Sequence, residues 1–258
     1  MSQPLKVFIT GASSGIGAAL AAEYARRGAI LGLVARHTDA LAGFRQSHPQ
    51  HPVSIYPADV RDADALAAAA HAFVAEHGLP DVVIANAGVS RGAVTGHGDL
   101  ATFRDVMDTN YFGMVATFEP FAAAMSEARR GTLVGIASVA GVRGLPGSGA
   151  YSASKAAALT YLEALRVEMR PFGVDVVTIA PGYIRTPMTA KNPYRMPFIM
   201  DVERFAAKCA DAIARGTSFA VFPWQMGVAA ALLRALPRWL YDRVFERAPR
   251  KPRASADH

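Results

Sequence analysis

Short apolar runs rich in β-branched residues alternate along this chain with longer Ala-rich stretches of helix length. The runs at 7–10, 30–35, 53–57, 82–85, 132–138, 175–180 and 219–222 read as strands. Between them, 17–27, 63–76, 100–126 (one helix or two), 151–170 and 202–215 read as helices. Strands that are apolar on both faces and separated by helix-length segments belong to a parallel sheet covered on both sides. The pattern therefore predicts a doubly wound α/β fold of about seven strands. Residues 147–149 and 187–197 read as loops, rich in Gly or Pro. No linker divides the chain, so 1–224 is expected to form one catalytic unit. Residues 225–258 form a helical tail, packed on that unit or peripheral to it.

A chain of 258 residues is near the upper limit for one hydrophobic core. With 52% hydrophobic and 19% charged residues, a buried sheet is expected and disorder is not. The single cysteine, Cys209, excludes an internal disulfide and any all-cysteine metal site, and no metal is expected. It suits a reducing cytoplasm. The first ten residues run into an apolar strand without a signal-peptide pattern, and no apolar run reaches the roughly 20 residues that span a bilayer. A cytoplasmic location follows as the expectation.

The net charge of +6 is unevenly placed. Residues 216–258 hold seven Lys/Arg against Asp242, Glu246 and Asp257, which is +4 and leaves +2 for the rest. The basic balance thus describes the tail. A helix over 225–236 is almost wholly apolar. One over 237–247, opening at Pro237, sets Leu240, Tyr241, Val244 and Phe245 against Arg238, Asp242, Arg243 and Glu246. Such a tail fits its own domain, a second subunit, or peripheral contact with the inner face of a membrane. Residues 248–258 read as a loose basic end. The charged end lacks interleaved aromatics, so nucleic acid is not an expected partner.

Candidate chemistry begins at Thr10-Gly11-Ala12-Ser13-Ser14-Gly15-Ile16-Gly17, where the first strand meets the first helix. A helix N-terminus there offers unpaired N–H groups and a positive dipole end to a pyrophosphate, and glycines let backbone approach it. An ordinary tight turn would use the same residues. An NAD site usually places an acid about 20 residues further on, for the ribose 2′-hydroxyl. Here Ala35 occupies that position and Arg36 follows, a guanidinium suited to a 2′-phosphate, with His37 beside it. The other reading of Arg36 is a solvated strand end. Asp59 and Val60 follow the third strand and can cap an adenine. Asn86-Ala87-Gly88 follows the fourth and lets backbone lie against a cofactor.

Tyr151 and Lys155 stand four apart on one helix face. A free phenol has a pKa of about 10, and a fixed ammonium nearby is expected to lower it. Ser138 ends a strand at the edge where ligands bind in this architecture, and its hydroxyl can donate to a carbonyl oxygen. Alone, a Tyr-x-x-x-Lys pair is common on surface helices.

Taken in order, Thr-Gly-x-x-x-Gly-x-Gly at 10–17, Asn-Ala-Gly at 86–88, Asn110, Ser138, Tyr-x-x-x-Lys at 151–155 and Pro181-Gly182 resemble the short-chain dehydrogenase/reductase family over roughly residues 5–222. The 13-residue step from Ser138 to Tyr151 is the family's usual separation. The resemblance implies a Rossmann-like fold and hydride transfer between NADP(H) and a carbonyl/alcohol substrate. Tyr151 would be the general acid/base, and Lys155 would bind the nicotinamide ribose. Ser138 would hold the substrate oxygen, and Asn110 would interrupt its helix and hold a proton-relaying water. Gly11, Ser13, Ser14, Gly15, Ile16, Gly17, Arg36, Asp59, Val60, Asn86, Ala87, Gly88, Pro181, Gly182, Ile184 and Thr186 would line the cofactor, Thr186 at the carboxamide. Ser14 stands where some NADP-dependent members carry a basic residue, so the cofactor reading rests on Arg36. With Tyr151 and Lys155 both present, a catalytically idle NADP-binding regulator is the alternative.

Substrate choice in the family sits after the Pro-Gly motif. Residues 188–200 are rich in Met, Pro and aromatics, as an adaptable apolar lid or as a packed loop. Leu145, Pro146 and Tyr183 would join it, and Arg185 or Arg195 would admit acidic substrates. In the family the helix after Ser138 pairs with its copy. Ala156, Leu159, Leu162, Leu165 and Met169 here suggest a homodimer.

Overall fold

The computed structural model describes residues 3–190, 192–248 and 250–253. The chain runs β1 (Lys6–Thr10), α1 (Gly15–Arg26), β2 (Ile30–Ala35), α2 (Asp39–Ser47), β3 (Val53–Pro57), α3 (Ala63–His77), β4 (Val82–Ala85) and α4 (Leu100–Met107). It continues α5 (Gly113–Ala128), β5 (Thr132–Ile136), α6 (Gly149–Met169), β6 (Asp175–Pro181), β7 (Ile184–Arg185), α7 (Pro187–Ala190) and β8 (Met200–Asp201). It ends α8 (Val202–Ala214), β9 (Phe219–Phe222), α9 (Trp224–Ala235) and α10 (Arg238–Phe245). Seven strands make one parallel sheet in the order β3-β2-β1-β4-β5-β6-β9.

The strands are apolar at most positions on both faces because each face meets a helix layer. Val7 and Ile9 pack on α1 and α8 with Leu20, Phe205 and Cys209. Phe8, between them in the pleat, packs on α3, α5 and α6 with Phe73, Phe121 and Leu162. Phe8 meets Phe73 and Phe121 edge-on, with centroids 5.5 and 5.0 Å apart. Strand order reverses at β1, whose neighbours β2 and β4 lead outward in opposite directions. The crevice beyond the carboxyl ends of β1 and β4 is where such sheets bind ligands.

Several differences from the sequence pattern have local causes. Helix α2 escapes notice because only Leu41 on it is buried. The 100–126 stretch divides into α4 and α5 at a π-turn, Asp108–Phe112, which holds Asn110 fully buried. Helix α6 begins two residues before Tyr151, and its Leu162, Leu165 and Met169 belong to its own core, so they offer no surface to a second copy. Strands β7 and β8 pair with each other and close both ends of the loop between them. Within the 188–200 segment, Lys191 lies outside the described residues.

The tail is docked rather than loose. Arg143 Nη1 donates to the carbonyls of Leu233 and Leu236 at the end of α9, at 2.6 and 2.7 Å. Its guanidinium also covers the Tyr241 ring at 4.2 Å, and the Tyr241 hydroxyl donates to the Gly144 carbonyl. Val244 is exposed while Tyr241 is buried, so the apolar side of α10 is narrower than its sequence suggests. Residues 250–253, expected to be loose, are held: Arg253 makes two bonds to Asp99 at 2.7 and 2.8 Å. Ion pairs fix an end that is poor in apolar anchors. Pro249 and 254–258 lie outside the described residues.

Candidate active site

A cavity of about 270 Å³ opens at the carboxyl edge of the sheet. Its floor is the β1–α1 turn. Gly11 has φ 67°, and a Cβ there would stand 2.6 Å from the Ala87 Cα. The turn is thus pressed against the strand-end segment 86–88, and only glycine fits. Asn86 fastens the two, its amide donating to the carbonyls of Thr10 and Gly11 at 3.1 and 3.0 Å. Ser14 precedes α1 without a side-chain cap, and the first turn carries no acid. The N–H groups and dipole of α1 therefore face the cavity without a competing carboxylate.

The second wall comes from β2 and β3. Ala35, Arg36, His37, Ala58, Asp59 and Val60 line it. Asp59 is gripped by Arg61, with Nη2 2.6 Å from Oδ2, which holds its carboxyl below the usual range, helped by Arg36 more weakly. Arg36 Nη1 is 3.9 Å from the same oxygen, and half of its side chain (51%) is exposed. Among the described residues it is a cation with no close partner of its own at the cavity rim.

At the inner end stand Ser138, Tyr151 and Lys155. Ser138 Oγ accepts from the Ala140 amide at 3.1 Å. Lys155 Nζ donates to the Ile136 carbonyl at 2.8 Å and lies 6.0 Å from the Tyr151 ring centroid. Burial lowers the ammonium to about 8. Burial also raises the Tyr151 phenol, opposed by a hydrogen bond from Ser138. The sequence reading expected the nearby ammonium to lower that phenol. Here the loss of water outweighs it, because Lys155 is aimed at a carbonyl rather than at the phenol. Asn110 does not line the cavity. Its Oδ1 accepts from Val89 N at 2.7 Å, and its Nδ2 donates to Val89 O and Ser154 Oγ, both at 2.9 Å. A Cβ on Gly88 would sit 3.2 Å from Asn110 Oδ1 and 3.6 Å from Lys155 Nζ, so the two groups share one corner.

The structure brings together every anticipated site residue except Asn110 and Gly17, which stand behind the wall. Gly17 serves packing: a Cβ would come within 2.2 Å of the Gly11 carbonyl oxygen. Pro181, Gly182, Ile184, Thr186 and Pro187 close the third side, followed by Met188 and Thr189 of the expected lid. Leu145, Pro146, Tyr183, Arg185 and Arg195 are not among its lining residues. Arg185 turns outward to Asp201, at 2.9 Å. Several lining positions, Ala58, Val89, Thr109, Ile136 and Ala137 among them, had no sequence signal. Ile136 acts through its carbonyl, and Val89 and Thr109 are ordinary residues placed by Asn110 and the π-turn. Among the described residues no cluster of His, Cys, Asp and Glu could hold a metal.

A strand–glycine turn–helix unit, a cavity at the sheet's reversal point, and a Ser–Tyr–Lys group at its inner end define a dinucleotide-dependent oxidoreductase architecture. The model of the short chain dehydrogenase family matches residues 6–196. The chain belongs to that family and is an oxidoreductase of it. An uncharacterized oxidoreductase of Myxococcus xanthus is 39% identical over 93% of this chain and 95% of its own. Among solved structures, a short chain dehydrogenase from Burkholderia cenocepacia in complex with NADP has a TM-score of 0.81 and 26% identity, covering 94% of this chain and 98% of that one. A 3-oxoacyl-[acyl-carrier protein] reductase with bound NAD from Brucella melitensis has a TM-score of 0.74 and 27% identity, covering 84% and 89%.

Proposed function

We propose that the protein interconverts a carbonyl compound and its alcohol with NADP(H), using Tyr151 as general acid/base. The observation that carries this is the convergence of Ser138, Tyr151 and Lys155 at the inner end of a cavity whose outer rim holds Arg36. The residues that line the cavity suit the parts of a dinucleotide. The α1 N-terminus would take the pyrophosphate, Asp59 and Val60 the adenine, and Thr186 the carboxamide. Relatives of this fold bind NADP or NAD. The choice of NADP here rests on Arg36 and on Ala35 in place of an acid. When bound, the nicotinamide supplies or accepts the hydride.

The residues of this chain handle the proton. Ser138 donates to the substrate oxygen and fixes it beside the Tyr151 hydroxyl. In reduction Tyr151 gives its proton to that oxygen as charge develops on it; in oxidation it takes one. Lys155 holds the ribose hydroxyls. Asn110, sharing a corner with Lys155, orients the route by which a proton returns. Met188 beside the cavity favours an apolar substrate body. A panel of apolar ketones, aldehydes and acyl-thioester ketones, followed by NADPH absorbance, tests the reading. Carbonyl-dependent NADPH oxidation is expected, and none across the panel in either direction would contradict it.

The protein is proposed to act in the cytoplasm, as a homodimer through the exposed Phe112 and Val167 on the α5–α6 side. Peripheral contact with a membrane's inner face is favoured by a different surface. Trp224, Val228 and Leu232 form an exposed stripe along α9, and Trp239 follows on α10, the two Trp being 69% and 70% exposed. Arg234, Arg238, Arg243 and Arg247, all exposed, lie on the same two helices or just after them. No helix among the described residues is long and apolar enough to cross a membrane. Light scattering should return a dimer. Sedimentation with anionic vesicles should be salt-sensitive, and absence of binding at low salt would remove the membrane contact.

A further inference from the structure

After α10 the chain crosses back toward the active site as a strap, residues 250–253. Arg253 pairs in parallel with Gly92, just beyond β4. A Cβ on Gly92 would fall 2.0 Å from the Pro252 carbonyl oxygen, and one on Gly147 would fall 3.1 Å from Lys251 N. The strap therefore lies between the loop after β4 and the turn that enters α6. Ala93 and Ser148 bridge that loop and turn directly. Both segments belong to the active-site wall: Val89 lines the cavity, and Val89 and Tyr151 pack on one small cluster with Phe103.

Charge on this wall is already distributed. Asp99 is bound by Arg253, which lowers its carboxyl to about 2. Asp105 is bound by Arg61 and Arg91, at 2.9 and 3.1 Å. Lys251 is left with a neutral partner among the described residues, Ser90 Oγ at 2.7 Å, one residue from Val89. Its ammonium is half-buried, and burial lowers its pKa. A desolvated cation of this kind, held by anchored backbone on both sides, is not balanced within the wall that surrounds it.

We propose that Lys251 is a specificity-determining residue that receives a carboxylate on the substrate, so that the enzyme prefers carbonyl compounds with an apolar body and an anionic end. The proposal rests on the carbonyl-reducing reading above. Tyr151 and Ser138 would take the carbonyl, and Lys251, across Val89 and Ser90, the carboxylate. Lys251 and Ser90 do not line the cavity themselves but adjoin it through Val89, which does, whereas Arg185, a cation that the sequence offered for this task, is paired outward with Asp201.

The test is equilibrium binding of 4-oxo-4-phenylbutanoate and its carboxamide to the NADP⁺-loaded protein, after NADP⁺ binding itself has been checked. A charge-assisted contact predicts that wild type binds the acid about ten- to a hundred-fold more tightly than the carboxamide. Lys251→Met should abolish that ratio by weakening the acid alone, and Lys251→Arg should restore most of it. Equal binding of acid and carboxamide by wild type, or an equal loss of both in Lys251→Met, would overturn the proposal. Failure of the underlying reading looks different: neutral ketones would then show no Tyr151-dependent NADPH oxidation.

Discussion

Replacing Arg36 with Ala separates recognition from stability. Half of the Arg36 side chain is exposed, and its nearest acid, Asp59, is 3.9 Å away. Arg61 already holds that carboxylate through Nε and Nη2 at 2.6–3.1 Å. Removing Arg36 thus strands no buried charge, and stability should change by no more than about 0.5 kcal/mol. Binding is different. A 2′-phosphate placed at the cavity rim would gain charge-assisted hydrogen bonds of about 1.5–3 kcal/mol from the guanidinium, or about ten- to a hundred-fold in affinity. NADH has no such phosphate, so its affinity should be the same in wild type and variant. Titration of nicotinamide fluorescence with both cofactors, at low and at physiological salt, reads the ratio directly. Wild type should favour NADPH, most strongly at low salt, and Arg36→Ala should bring the two together. Equal affinities in wild type, or parallel losses of both cofactors in the variant, would refute the reasoning.

Three further outcomes follow from packing and burial. Burial lowers Lys155 from 10.5 to about 8. The buried ammonium therefore costs the native state most below pH 8, and the cost fades as pH rises toward 10.5. Allowing for the lost bond to Ile136, Lys155→Met should raise stability at pH 7 by about 2 kcal/mol while abolishing activity. Urea unfolding at pH 7 and pH 10 checks this, and a gain that grows with pH would contradict it. Arg143→Ala removes the carbonyl contacts at the end of α9 and the cation over Tyr241. It should cost about 2 kcal/mol and raise hydrogen exchange in α9, α10 and the strap before the sheet; unchanged exchange there would contradict it. Gly17→Ala forces a methyl against the Gly11 carbonyl and should cost about 1–3 kcal/mol, visible as a lower Tm. A wild-type Tm would show that the turn yields freely.

The sheet was legible because each of its strands is apolar on both faces, and 30–35, 53–57, 82–85 and 219–222 have the bounds expected from the pattern. The cofactor turn and the Tyr–Lys pair were legible because backbone chemistry dictates glycine at Gly11 and helical spacing dictates a shared face. The π-turn at Asp108–Phe112 was foreseeable only through family resemblance, since no residue type there demands an extra residue per turn. Ile136 could not be foreseen, because it serves Lys155 through a carbonyl that every residue carries. The docked strap was misread for a related reason. Its bonds join Arg253 to Asp99 and Lys251 to Ser90, more than 150 residues apart, and composition alone gives a basic end no partner. The direction of the Tyr151 shift was misjudged because spacing fixes a shared helix face but not where an ammonium points.

Tyr151→Phe tests the central claim most directly, because it removes one hydroxyl from the inner end of the cavity and keeps the ring that packs with Val89 and Phe103. On the NADPH-loaded protein, with a ketone that wild type reduces, the rate of a single turnover should fall by about 10² to 10⁴ while NADPH affinity is unchanged. A variant that turned over at close to the wild-type rate would contradict the assignment of Tyr151 as the proton donor, and with it the mechanism.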